Sequence, residues 1–353
     1  MLLPTTATAV LVALLIGLFG WGSWASMYKA AKKLRFEFFA YDFAWGVGLA
    51  AVAAAFTLGS MNSAELTFQD NFLLTGMRKI AWGVGSGVVF NLANLLLLAA
   101  VSVSGMSIAF PVAFGLAWAL GSVWTFFIRP DVNPMLAFGG AAVSLLGVAM
   151  AMVAYRWFLE NRAHESAQAL RADPRAKTSP PPQDMGAKAF VLAAISGIVF
   201  AVFFPMLFEA THDENGLSAY GAVLMVAGGL FASTAVFVPF FLNFPVKGKP
   251  LTVAQYLKVP VGQHVWGLLG GILFAAGLLG SLVVLGAPGP AQPSVVVAYM
   301  LDHGAPLLAA LWGMLVWREL PGAPTKVNAI MAAMLVLLAV GMGMIAVAPL
   351  YGR

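Results

Sequence analysis

The chain has 353 residues, of which 61% are hydrophobic and 9% are charged, and it contains no cysteine. Soluble globular domains have about 45–50% apolar and about 25% charged residues, so this composition excludes a soluble protein and indicates a membrane protein. The absence of cysteine excludes disulfide bonds and thiolate metal sites. The net charge is +5, but the basic residues lie between apolar runs without interleaved aromatic residues, so nucleic acid is not an expected partner.

Ten apolar runs follow one another along the chain, each long enough for the ~20 residues that cross a bilayer as a helix. They span residues 6–28, 40–59, 79–101, 104–127, 134–155, 188–210, 217–243, 262–286, 291–317 and 323–349. The runs do not alternate apolar with polar residues, which excludes a β-barrel. We therefore predict an all-α membrane protein with ten transmembrane helices. Gly105 is the only residue that clearly marks a break between the third and fourth helices.

Two distant stretches of the chain match one another without a gap. Residues 81–94 read AWGVGSGVVFNLAN and residues 265–278 read VWGLLGGILFAAGL. The flanks match in the same order at slightly different offsets, which indicates a duplicated unit. Because each copy holds five spans, the second copy enters the membrane from the opposite side. We predict two five-helix inverted-topology repeats, residues 1–155 and 189–353, a common architecture of secondary transporters.

The basic residues are distributed unequally between the two sides of the membrane. Only Arg78, Lys79, Arg129 and Arg353 fall on one side, and the other 15 of the 19 Lys and Arg fall on the opposite side. Cytoplasmic loops carry the excess of Lys and Arg, so both termini are predicted outside the cytoplasm of a cell (inner) membrane. Residues 156–188 then form a cytoplasmic linker, whose run TSPPPQ favours an extended spacer.

Further stretches carry a family resemblance: FGWGSW (19–24), YDFAWGVGLAAVAAAFTLG (41–59), GIVFAVFFPMLFEAT (197–211), LNFPVKGKPLTVAQYLK (242–258) and LWGMLVWRE (311–319). With these stretches the chain resembles the ureide permease family of the drug/metabolite transporter superfamily, near its rhamnose and glucose porter branches. The resemblance implies proton-coupled uptake of allantoin-like ureides, uracil, xanthine and similar heterocycles. Phe110 and Leu278 replace an acidic residue and an asparagine of the family pattern, which puts the exact substrate range in doubt.

Candidate solute-binding residues are polar or aromatic side chains within the spans. Asn91 and Asn94 lie three residues apart and so share a helix face. They could offer amide groups to a planar solute or tie helices together; Asn94 also matches the resemblance. Trp24, Trp118 and Trp312 could stack against a flat ring, although Trp is also common at membrane interfaces.

Asp302 and His303 are the candidate proton-coupling residues. Asp302 stands about ten residues into the ninth span, close to the midplane at ~1.5 Å per residue. Pro306 frees the carbonyl of Asp302 from its helical hydrogen bond, and His303 can exchange protons near neutral pH. The alternative is that Asp302 is a buried, paired residue that holds helices together. Asp42, at the start of the second span, is expected to anchor the interface or to pair with the basic residues of 29–35; a transport carboxylate is the alternative.

Together these features predict a secondary active transporter, with proton-coupled uptake of small polar ureide-like or nucleobase-like heterocycles by alternating access. A rhamnose or glucose porter and a drug or metabolite exporter remain alternatives. Its expected partners are a small-molecule solute, protons and the lipid bilayer. An enzyme is not expected, because the four histidines are scattered and no phosphate-binding glycine loop occurs. No cofactor or metal is expected.

Overall fold

The computed structural model describes residues 1–32, 34–61, 66–128, 132–173, 184–213, 215–287 and 303–352. Over these ranges the chain forms helices and connecting turns, and no strand. The helices are α1 (Ala7–Ala30), α2 (Phe36–Phe56), α3 (Phe68–Leu74), α4 (Met77–Ser104), α5 (Met106–Ile128), α6 (Pro134–Ala172), α7 (Met185–Thr211), α8 (Ala219–Asn243), α9 (Val261–Leu285), α10 (Ala305–Leu311) and α11 (Thr325–Val347). A π-helical turn, Trp312–Val316, continues α10.

Nine of the described helices are long and apolar enough to cross a membrane, which confirms the predicted all-α membrane protein. The ninth predicted span, 291–317, falls partly on residues 288–302, outside the described part of the chain. Its described portion, Ala305–Val316, is a shorter apolar helix. The break between the third and fourth spans lies at Gly105, whose φ of 86° is one that residues with a side chain rarely adopt.

The helix α6 is longer than its predicted span of 134–155. It continues to Ala172, so the predicted linker is helical over 156–172. This extension carries side-chain pairs one turn apart, Arg156 with Glu160 at 2.8 Å and Asn161 with Glu165 at 2.8 Å. Pairs at this spacing stabilise exposed helices by a few tenths of a kcal/mol each, roughly 0.2–0.5. The first part of the predicted linker is thus a continuation of α6, with its charges on a helix surface.

Each long helix packs against helices distant in sequence. The helix α1 packs on α9 and α10, α2 packs on α8 and α9, and α4 packs on α7 and α8. The helix α5 packs on α6 and α7, and α6 also packs on α11. We call the end of the bundle where α1 ends and α7 begins the linker end, and the opposite end the far end.

Glycines set the distance between α4 and α8. A Cβ atom on Gly87 would overlap the carbonyl oxygen of Val226, and a Cβ on Gly229 would overlap the carbonyl oxygen of Val84. The two backbones are thus in direct contact in both directions. Such close approach is typical of small residues at membrane helix interfaces.

The interface between α2 and α9 has the same construction. A Cβ on Gly46 would overlap the carbonyl oxygen of Leu268, and a Cβ on Gly271 would overlap the carbonyl oxygen of Phe43. Gly87 and Gly271, which the two matching stretches share, therefore each form a backbone contact to a different helix.

Neighbouring glycines of α8 provide a matched test of these contacts. We expect Gly229→Ala to lower the stability by about 1–3 kcal/mol, because its methyl group must displace α4. The space around Gly228 is open, so Gly228→Ala should leave the stability unchanged or raise it by up to about 1 kcal/mol through helix propensity. Thermal unfolding of the purified proteins measures the difference. Equal melting temperatures for the two variants would contradict the packing described.

Candidate functional site

An aromatic cluster fills the centre of the bundle. The ring of Phe90 in α4 stacks on Phe274 in α9, with centroids 4.3 Å apart and an interplanar angle of 27°. Trp21 in α1 meets Phe274 edge-on at 5.0 Å, and Phe203 in α7 lies 5.2 Å from Phe90. Aromatic pairs in such geometries add about 0.5–1.5 kcal/mol beyond the burial of their area. Four helices are thereby joined at one point.

A second group of rings extends this cluster to α2 and α5. Trp24 lies 5.1 Å from Phe43 and 6.0 Å from Phe110. Phe114 stacks on Phe200 of α7 at 4.8 Å. Trp24 is 1% exposed, so the predicted stacking residue is part of the buried centre.

A small cavity of about 10 Å³ lies beside these rings. A space of that size holds about one water molecule. It is lined by Trp21, Phe114, Trp118, Phe204, His303, Ala305 and Pro306. The structure thus brings the predicted residues Trp118 and His303 together, in a conformation whose cavity is too small for an organic solute.

Asn94 is the unusual polar residue of this region. Its side chain is fully buried, and neither its amide oxygen nor its amide nitrogen has a hydrogen-bond partner among the described residues. It lies one helical turn from Phe90, on the same face of α4, and therefore next to the aromatic cluster. An unsatisfied buried polar group costs about 1–3 kcal/mol. Such a group needs an explanation outside the packing of the resting bundle.

Asn91 is engaged differently. Its amide nitrogen donates to the carbonyl oxygen of Leu230 at 3.1 Å, to Ser233 Oγ at 2.9 Å and to Thr234 Oγ1 at 3.0 Å. These bonds tie α4 to α8. These hydrogen bonds favour the role of Asn91 in tying helices together. Its surroundings thus differ from those of Asn94, although both residues lie on one predicted helix face.

The remaining predicted site residues have different surroundings. Trp312 lies in the π-helical turn, and its indole nitrogen donates to Ser23 Oγ of α1 at 3.1 Å. It does not line the small cavity. The ring of His303 lies 5.5 Å from the ring of Phe204. Asp302 falls outside the described residues, so its prediction stays a prediction.

Glu319, which the sequence analysis missed, joins three elements at the linker end. Its carboxylate pairs with Lys29 Nζ of α1 at 2.7 Å, and 5% of its side chain is exposed. It also accepts hydrogen bonds from the backbone N–H groups of Met106 at 2.9 Å and Ser107 at 2.8 Å, at the start of α5. A carboxylate at a helix N-terminus satisfies free N–H groups and interacts favourably with the helix dipole.

A second buried carboxylate, Asp42, lies between α2 and α9. Both of its oxygens are 2.9 Å from Nδ1 of His264, and the hydroxyl group of Tyr256 donates to Oδ1. Burial and the Asp42 carboxylate raise the pKa of Tyr256 above its usual range. The partner of Asp42 is thus a histidine of the distant span rather than the basic residues of 29–35. Asp42 and His264 each lie at the start of a predicted span, on the same side of the membrane. This shared side is the sequence signal that could have indicated their contact.

These side chains do not form a metal site. Among the residues that the structure describes, no group of three or more His, Cys, Asp or Glu could hold a metal ion. The site combines flat apolar surfaces, an amide without a partner among the described residues, and a histidine. These groups are suited to binding rather than to bond cleavage.

The role of Glu319 can be tested against a surface carboxylate. We expect Glu319→Gln to lower the stability by about 1–3 kcal/mol, because Lys29 and the start of α5 lose a charged partner. Glu160→Gln is the control: Glu160 forms an exposed pair with Arg156, so its loss should change stability by less than about 0.5 kcal/mol. Melting temperatures of the two purified variants check this expectation. A melting temperature of Glu319→Gln as high as that of Glu160→Gln would contradict it.

Comparisons with known proteins agree on the class of protein. No protein-family model matches the chain. Two curated relatives are Ureide permease 2 and Ureide permease 1 of Arabidopsis thaliana, each 21% identical to the chain. The first match covers 95% of this chain and 96% of the relative, and the second covers 95% of each.

A solved structure named "Crystal structure of protein" shares the fold, with a TM-score of 0.50 and 18% sequence identity. It covers 95% of this chain and 96% of that chain. The relatives are permeases, that is, transporters and not enzymes. Together with the nine apolar helices, this distant but nearly full-length similarity supports a multi-pass membrane protein of a ureide permease-like family.

Proposed function

We propose that the protein is a secondary active transporter that takes up small planar heterocycles of the ureide or nucleobase type, coupled to protons, by alternating access. The similarity to two ureide permeases supports the transport of ureides. The observation that carries the proposal is Asn94, a fully buried amide without a hydrogen-bond partner in the described part of the chain, one helical turn from the ring of Phe90.

The chemistry of such a solute complements the centre of the bundle. Ureides and nucleobases present N–H and C=O groups side by side on a flat ring or chain. The amide of Asn94 offers a donor and an acceptor to such an edge. Trp24 in the aromatic cluster and Trp118 at the small cavity offer flat faces in the same buried centre. Binding of the solute would satisfy the polar atoms that the described conformation leaves unpaired.

The glycine contacts support the two-repeat architecture. Gly87 touches Val226 across α4 and α8, and Gly271 touches Phe43 across α9 and α2. Gly87 corresponds to Gly271 in the matching stretches. The number of residues between Phe43 and Val226 is nearly the same as the number between Gly87 and Gly271. The reverse contacts, of Gly229 and of Gly46, are related in the same way. We therefore propose that residues 1–155 and 189–353 are inverted repeats whose relative motion exposes the centre to one side at a time.

The positions of the charged groups support the proposed orientation. Lys29 and Glu319 lie at the linker end, where most of the Lys and Arg also fall. The excess of basic residues supports a cytoplasmic location of this end under the positive-inside rule. The proposed orientation therefore has both termini outside the cytoplasm, in a cell (inner) membrane.

Two asparagine variants separate binding from packing. We expect Asn94→Leu to retain or raise the melting temperature, because an unpaired buried amide is replaced by an apolar group of similar size, while uptake is lost. Asn91→Leu should lower stability by about 1–3 kcal/mol, because it removes the donor to α8. The measurements are thermal unfolding and uptake into proteoliposomes from a labelled panel of uracil, allantoin, rhamnose, glucose and ethidium.

The panel distinguishes the alternatives. Selective uptake of uracil or allantoin supports the proposal, uptake of rhamnose or glucose indicates a sugar porter, and extrusion of ethidium indicates an exporter. Full uptake by Asn94→Leu would contradict the role of Asn94. Uptake of none of the five solutes by the wild type would contradict the proposed function.

Proton coupling is tested at Asp302, which the sequence places near the midplane. We expect Asp302→Asn to abolish accumulation driven by a pH gradient and to preserve exchange of solute between two equilibrated pools, since exchange needs no net proton movement. The readouts are the accumulation ratio and the exchange rate in the same proteoliposomes. A variant that still concentrates solute against its gradient would show that Asp302 does not carry the proton.

A further inference from the structure

The pair formed by Asp42 and His264 has the geometry of a proton-binding site. Asp42 is 3% exposed, in the second turn of α2, and His264 is in the first turn of α9. Nδ1 of His264 is 2.9 Å from both carboxylate oxygens. Tyr256, in the 3₁₀ turn Val253–Lys258, donates its hydroxyl proton to the same carboxylate.

These bonds show that Nδ1 is the ring nitrogen that faces the carboxylate. With the shared proton on Nδ1, the imidazole donates to an ionised carboxylate, and Nε2 is the position where a further proton binds. The His264 side chain is 19% exposed at the linker end.

Packing alone does not require this pair. Gly267 of α9 packs against the side chain of Asp42, and Gly83 of α4 packs against the side chain of Met225 in the same way. Asp42 and Met225 are separated by nearly the same length of chain as Gly83 and Gly267. At the offset that aligns these two glycines, Ile80 corresponds to His264. The equivalent interface is therefore built from apolar side chains.

The cost of burial also argues against a purely structural pair. Replacing a buried ion pair by well-packed apolar residues is often neutral or stabilising, by about 1–4 kcal/mol. The interface of α2 with α9 thus contains titratable groups that its counterpart lacks and that stability does not explain.

Other charged or titratable groups at this end have partners of their own or lie on neighbouring turns. Glu37 of α2 is bound by Arg35, and Lys29 of α1 is bound by Glu319. The ring of Tyr41 lies 5.2 Å from that of Tyr256. Tyr28 lies on α1. Lys32, which follows α1, and Lys258, at the end of the 3₁₀ turn, line one cavity together with Gln263. Lys247 and Lys249 lie between α8 and the 3₁₀ turn, and α8 itself has no charged residue.

We propose that Asp42 and His264 form a proton-binding site, separate from the solute site, that controls the separation of α2 from α9 at the linker end. A proton bound at Nε2 makes the imidazole a cation, and the resulting ion pair with the carboxylate holds the two helices together. Release of that proton to water at the linker end leaves a neutral imidazole and a weaker contact. The proposal rests on the proposed alternating access, in which this end must open.

Cysteine accessibility tests the proposal without any solute. The chain has no cysteine, so a single introduced cysteine reports on one position in nanodiscs treated with a membrane-impermeant maleimide. Ala40→Cys probes a buried position of α2 two residues before Asp42, and Leu257→Cys probes a position that is 82% exposed. Dividing the labelling rate at position 40 by the rate at position 257 removes the pH dependence that the two thiols share. We expect this ratio to rise several-fold between pH 6 and pH 8.

Variants of the histidines decide whether the pair is responsible. In a His264→Gln background, the ratio should be the same at both pH values. His212→Gln is the matched control, because His212 also pairs with an aspartate, Asp213, at 3.2 Å but is 47% exposed at the far end. It should retain the wild-type pH dependence. A constant ratio in the wild type, or a pH dependence that persists in His264→Gln, would overturn the proposal.

The double variant Asp42→Met with His264→Ile introduces the residues found at the corresponding positions Met225 and Ile80. It keeps the test decisive if the single variant misfolds. It should melt at or above the wild-type temperature, and its labelling ratio should stay low at both pH values. A ratio that still rises with pH in this variant contradicts the proposal. Wild-type protein that labels as expected but takes up no solute contradicts the proposed function alone and leaves the proton site supported.

Discussion

Direct backbone contact at glycines is the constraint on which the rest of this structure depends. In a bilayer, lipid tails are as apolar as leucine, so helix association relies on close packing and not on the hydrophobic effect. Gly87 and Gly229 allow α4 to touch α8, and Gly46 and Gly271 allow α2 to touch α9. Any larger residue at these positions would separate the helices and displace everything packed between them.

The stacked rings at the centre follow from these contacts. Phe90 stands three residues after Gly87, and Phe274 stands three residues after Gly271. Each phenylalanine therefore lies near the glycine contact of its helix, and the two rings meet face to face at 4.3 Å. The repeated Gly-x-x-Phe pattern thus serves two interfaces, one with the neighbouring helix and one at the centre.

The filled centre leaves no room for a solute in this conformation, since the space beside Trp118 and His303 holds about one water molecule. In the proposed transport cycle, admission of a solute requires the rings to move, and hydrogen bonds from the solute to Asn94 would offset part of the energy needed to separate them.

The sequence predicted much of this structure, because the helices follow from local composition. Apolar length alone located nine of the ten predicted spans among the described residues, and glycine at 105 located the break between α4 and α5. The roles of Asn91 and Asn94 could not be predicted, because residues three apart share a face while their environments depend on which helix lies opposite. Only the packed structure distinguishes an amide that binds Ser233 from one that has no partner among the described residues. The partner of Asp42 was not predicted for a related reason: its pairing with His264 joins residues 222 positions apart, and no local pattern predicts such a contact.

The length of α6 has a practical consequence. At about 1.5 Å per residue, its 39 residues extend for about 58 Å, well beyond the ~30 Å thickness of the hydrocarbon core. The stretch 156–172 therefore projects about 25 Å past the predicted span as a continuous helix. A small rigid domain fused in helical register to this projection would move with the bundle and would serve as an alignment marker for electron cryomicroscopy.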